Sequence, residues 1–101
     1  MKTMGILNKI QKEFKAAGYV QVEGYKRFGF VRETESAIVV SREDGADTPI
    51  SLTKIYEGIE AVKQDINIYD GGPNTLRDHD IIFINSPVWA LLHLASKADY
   101  R

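Results

Sequence analysis

Ala37-Ile38-Val39-Val40-Ser41-Arg42 is the stretch whose reading decides the fold. Four apolar residues, three of them β-branched, form a short run bounded by polar clusters, the pattern of a half-buried β-strand. Glu33-Thr34-Glu35-Ser36 precedes it as a turn. Glu43-Asp44-Gly45-Ala46-Asp47 follows as a second turn, with Asp-Gly expected to supply positive φ values. Both neighbours therefore fold back antiparallel. Upstream, Tyr25 to Arg32 reads as a strand with Phe28, Phe30 and Arg32 on one side and Arg27, Gly29 and Val31 on the other. Tyr19 to Val22 offers a shorter extended piece. Downstream, Thr48 to Ile50 reads as a short strand, at an edge because Pro49 cannot donate to a ladder.

Helical periodicity brackets these strands. Ile6, Leu7, Ile10 and Phe14 share one face of a helix over 4–17, closed by Gly18 as a left-handed cap. Leu52, Ile55, Tyr56, Ile59 and Val62 form the apolar stripe of a helix over 52–64, with Ser51 as N-cap. Asp70-Gly71-Gly72-Pro73 reads as a loop, with Asn74 capping a turn after it and Ile81 to Ile84 as a buried extended segment. Ser86-Pro87 then opens a final helix over 87–97, a capping hydroxyl before proline at the first helical position. The expectation is one α+β domain over residues 1–101. Its small antiparallel sheet of two to three strands packs against three helices, in the order α-β-β-(β)-α-α.

Composition bounds the function. The 101 residues are 44% hydrophobic and 27% charged, enough to fill one core and cover it. There are no cysteines, which removes disulfides, thiolate metal sites and cysteine nucleophiles. No segment reaches the ~20 apolar residues of a membrane span, and the lysine-bearing start lacks an apolar signal core. A cytoplasmic location without membrane contact is the expectation. Net charge is −1 but unevenly spread. Residues 1–32 carry +5, residues 33–80 carry −7 and residues 81–101 carry +1. This asymmetry suggests a basic patch, a basic-to-acidic contact between copies, or two sides that neutralise each other within the fold.

Three kinds of site are open to this sequence. Tyr25, Lys26, Arg27 and Arg32, with Lys9, Lys12 and Lys15 on the first helix, are the candidates for contact with DNA, RNA or a partner protein. Rings stack on bases while Lys and Arg neutralise phosphates when such a strand is exposed. A small sheet needs one covered face, which favours Phe28 and Phe30 in the core. Asp70, Asp78, His79 and Asp80 are weak candidates for a divalent cation, and their spacing matches no known metal loop. A His79–His93 acid–base pair is conceivable, but nothing local orients either ring. No nucleophile, base and oxyanion set can be named together, and no phosphate-cradling glycine motif is present. Glu13-Phe14-Lys15, the one acidic–x–Lys triplet, falls on a helix, so DNA cleavage by this chain alone is not expected.

From Phe30 onward the order of features resembles a small accessory module of restriction-like and other mobile-element proteins of bacteria and phages. The features are Val31, Ile38-Val39-Val40, Ile50, the helix with Ile55, Tyr56 and Ile59, the Gly/Pro loop, Arg77, and Asn85-Ser86-Pro87-Val88-Trp89-Ala90-Leu91-Leu92. The resemblance covers about residues 28–97. It implies a contact module for DNA or a partner protein, with no catalytic residue carried over. The function expected is thus a non-enzymatic binding module without cofactor. The alternative is a self-associating accessory factor, expected as a homodimer that completes an apolar face; a metal-dependent hydrolase ranks third.

Overall fold

The computed structural model describes all 101 residues. Its order is α1 (Thr3–Ala17), β1 (Tyr19–Gln21), β2 (Arg27–Glu33), β3 (Ala37–Arg42), β4 (Gly45–Ser51), α2 (Leu52–Gln64), α3 (Asn67–Gly71), a 3-10 segment (Pro73–His79), α4 (Asn85–Leu92) and α5 (Lys97–Tyr100). The α+β class holds, with four strands where two or three are expected, because Tyr19–Gln21 pairs with Arg27–Gly29. The sheet is an antiparallel meander in the order β1-β2-β3-β4. Pro49 does lie on an edge strand, opposite Val39.

The core forms where the helical stripes meet one sheet face. Ile6, Ile10 and Phe14 of α1, Ile55, Ile59 and Val62 of α2, and Val88, Leu91 and Leu92 of α4 join Val20, Phe28, Ile38, Val40 and Ile50 in one cluster. Each such side chain contributes roughly 1.5–3 kcal/mol of burial before entropy is subtracted. Phe28 is buried, and Phe30 meets Phe14 edge to face at 5.5 Å. Gly18 ends α1 at φ 83°, its N–H donating to Phe14 O. Ser51 Oγ caps α2 by accepting from the Thr53 and Lys54 N–H groups.

Several local expectations change. The pairing of β2 with β3 slips between Phe30 and Arg32. A bulge at Val31 turns Arg32 to the face opposite Phe28 and Phe30, where it sits across from Val39. The β3–β4 turn uses Glu43 and Asp44, neither with positive φ, and the pairing slips by one residue in β4 beside it. No side-chain cap opens α4. Helix α4 starts at Asn85, so Ser86 is its second residue and Pro87 its third, a position whose N–H lacks an intrahelical partner anyway. That helix also stops at Leu92 instead of running to 97. Past Leu92 the backbone bonds tighten to three-residue spacing, with the His93, Leu94 and Ala95 N–H groups donating to Ala90 O, Leu91 O and Leu92 O, while Tyr100 Oη donates to Leu92 O at 2.5 Å and Tyr69 Oη to Ala95 O at 2.9 Å. Pro73, not Asn74, opens the 3-10 segment. Ile81 is buried, but Ile82 and Phe83 are exposed, so 81–84 is not a buried extended segment. Ile84 N–H donates to Ile82 O across Phe83 at φ 67°, a tight γ-turn.

Candidate functional site

The core helices pack on one side of the sheet; on the other, Tyr19, Gln21, Arg27, Arg32 and Pro49 are exposed, while Val39 between them is buried. Register puts Tyr19 opposite Gly29, Gly29 opposite Ser41, Gln21 opposite Arg27, and Arg32 opposite Val39. Val39 in turn faces Pro49. None of these paired outward residues is acidic. The Arg27 guanidinium lies 4.0 Å from the Tyr19 ring centroid, a stacked cation–π pair at the surface. Beside it Gly29 and Ser41 form a flat floor, where a Cβ on residue 29 would come within 2.4 Å of Ser41 Oγ. Tyr19, Arg27, Gly29, Ser41 and Glu43 border a shallow depression of about 210 Å³ there.

A larger cleft of about 570 Å³ opens where the β1–β2 connection meets the 3-10 segment and the start of α4. Its aromatic side is Tyr25, whose ring centroid is 4.8 Å from that of Trp89, with Phe28 behind. A turn from Val22 to Tyr25 sets Tyr25 there, with Gly24 at φ 87° and Tyr25 N–H donating to Val22 O. Gln21 Nε2 donates to Tyr25 O at 2.9 Å. Gly72, at φ 92°, leaves room for the Tyr25 hydroxyl, which a Cβ would approach to 3.2 Å. Trp89 is fixed by its Nε1–H donating to Ile68 O at 2.9 Å. The polar rim is Gln21, Lys26, Glu43, Asn74 and Ser86. Glu43 borders both the cleft and the outer depression.

The seven basic and aromatic candidates do not form one patch. Arg27 and Arg32 share the open sheet face; Tyr25 and Lys26 line the cleft; Lys9, Lys12 and Lys15 lie on α1. Three of the lysines meet carboxylates: Lys9 with Asp99 at 2.6 Å, Lys15 with Glu33 at 2.8 Å, and Lys26 with Asp44 at 2.5 Å. Hydrogen bonds from these ammonium groups hold all three carboxyls below their ordinary range. Much of the N-terminal positive charge is thereby matched within the fold. Tyr19 and Trp89 are the site residues that sequence reasoning misses. Tyr19 reads only as part of a short strand, and Trp89 only as a flank of the last helix.

The acidic candidates diverge. Asp70 pairs with Lys97, Asp80 closes the 3-10 segment at φ 62°, and Asp78 with His79 borders a separate shallow groove beside Asp65. No three histidine or carboxylate side chains gather as a metal-ligand group. His93 has Nδ1 2.9 Å from Trp89 O and Nε2 2.8 Å from Tyr69 O. Both ring nitrogens face backbone carbonyls, so this imidazole is a structural clamp. No helix is long and apolar enough to cross a membrane. No protein-family model matches the chain, and neither a curated protein nor a solved structure is significantly similar to it.

Proposed function

We propose that the chain is a non-enzymatic binding module that holds single-stranded nucleic acid across the open face of its sheet. The observation that carries this reading is the stacked Tyr19–Arg27 pair on an uncovered face that also presents Arg32 and no paired acidic residue. Bases stack on exposed rings without regard to sequence, and guanidinium groups neutralise phosphates. Gly29 and Ser41 keep the floor low enough for a backbone to lie close. Phe28 and Phe30, the two phenylalanines of that strand, point into the core and take no part in this face.

Two arginines make a weak, salt-sensitive site. Anisotropy titrations of short single-stranded RNA and DNA test the reading at two salt concentrations. Two phosphate contacts predict a log–log salt slope of roughly −1.4. Reversing both cations, Arg27→Glu with Arg32→Glu, abolishes binding. No binding at low salt, or binding indifferent to salt, defeats the reading.

A further inference from the structure

We infer that the Tyr25–Trp89 cleft takes a single unpaired nucleobase that bears an exocyclic amino group. This deepens the nucleic-acid reading and rests on it for the origin of the base. Four observations converge. The cleft's volume of about 570 Å³ is in the range of small-ligand sites. Its wall is an aromatic pair in which Tyr25 is 44% exposed while Trp89 is 3% exposed, so the Tyr25 ring is the one open to a ligand and Trp89 backs it. Its rim holds hydrogen-bonding groups with no partner in the chain: the Ser86 hydroxyl, the Asn74 amide nitrogen and the second oxygen of Glu43, whose first oxygen accepts from Arg27 N–H at 2.9 Å. Finally, Glu43 borders both the cleft and the depression beside Tyr19 and Arg27.

The chemistry of that rim selects the ligand. Heteroaromatic edges present donors and acceptors side by side, and Asn74 and Ser86 can answer either. Glu43 is a carboxylate and only accepts, so it rewards an amino donor, as carboxylates do on cytosine. Its charge also disfavours phosphate inside the cleft, whereas over the outer depression, which Glu43 borders too, Arg27 and Arg42 offset it. Lys26 is held by Asp44 at 2.5 Å, which leaves the cleft interior without a free cation to attract phosphate inward. A strand crossing the sheet would thus drop one base over the hairpin end while its backbone continues across the open face.

NMR titration with the free monophosphates CMP, AMP and UMP tests this on the full chain. Trp89, the only tryptophan, gives a single indole N–H signal beside the cleft. Saturable shifts at Trp89, Ser86 and Asn74 with CMP or AMP, several-fold weaker with UMP, are expected. Tyr25→Ala weakens them about tenfold, the scale of one lost stacking contact, and Glu43→Gln removes the preference over UMP. Arg27→Glu with Arg32→Glu lowers oligonucleotide affinity but leaves the mononucleotide shifts. Oligonucleotide binding with no cleft shifts from any monophosphate overturns the inference alone. Cleft shifts of equal size with UMP overturn it as well. Mononucleotide shifts without oligonucleotide binding defeat the sheet-face reading and leave the cleft as a nucleotide site.

Discussion

Phe83 carries the most conspicuous conflict between a residue and its backbone. Its ring is 88% exposed, and its φ of 67° lies where side chains with a Cβ are strained. Burial gives nothing back, because neighbouring Ile82 is exposed too. Asparagine tolerates this region better than phenylalanine. Phe83→Asn is therefore expected to stabilise the fold by about 0.5–1 kcal/mol, read as a higher denaturant midpoint with an unchanged slope. A ring held out against strain is also the feature that favours the self-association alternative. Sedimentation of the same variant checks it: if Phe83 mediates contact between copies, any dimer of the parent chain is lost in Phe83→Asn.

At the scale of elements, the packing of α2 on α4 depends on the absence of a side chain. Gly58 is buried in α2, and a Cβ there would sit 3.0 Å from Val88 Cγ1 and 3.4 Å from Leu92 Cδ1. Glycine inside a helix costs about 1 kcal/mol in propensity against alanine, so its presence is explained by this approach. Gly58→Val forces the helices apart and is expected to destabilise by about 1–3 kcal/mol, read as a lower midpoint in urea. The hairpin end is organised by the same logic of bare backbone. Gly24 and Gly72, both at positive φ, let Tyr25 fold over Trp89 and form the aromatic wall of the cleft.

Across the whole molecule the two ends of the chain lock together. The Met1 ammonium donates to Asp99 O at 2.9 Å, and Lys9 bridges to the Asp99 carboxylate. Tyr100 closes the core beside them, 3% exposed, and burial pushes its phenol well above the ordinary tyrosine range. A phenol that stays neutral when folded but ionises near pH ~10 when unfolded favours the folded state fully below that pH. Above it the unfolded chain loses the proton first, so stability falls as pH rises. Chemical denaturation from neutral pH into the alkaline range is expected to show this decline, with a shallower slope in Tyr100→Phe. At neutral pH that variant loses about 0.5–1.5 kcal/mol, the worth of one hydrogen bond, because Leu92 O still accepts from the Ala95 N–H at 3.4 Å.

Local patterning by itself determined the helices over α1 and α2, the Gly18 and Ser51 caps, the central β3 strand and Pro49 at an edge. Those features depend on neighbours within one or two turns, where periodicity and backbone preference act directly. It also made Phe28 and Phe30 core residues, because a small sheet must cover one face. Tertiary structure alone decided the rest. The Val31 bulge moved Arg32 to the open face, and no composition rule locates an inserted residue in a ladder. Helix α4 ended early in a run of three-residue turns with Tyr69 and Tyr100 bonded to its last carbonyls, while lysines and carboxylates distant in sequence found each other. The cleft exists only because Tyr25 and Trp89, 64 positions apart, meet across elements: side-chain chemistry is local, but a site is a distance between groups that only packing sets.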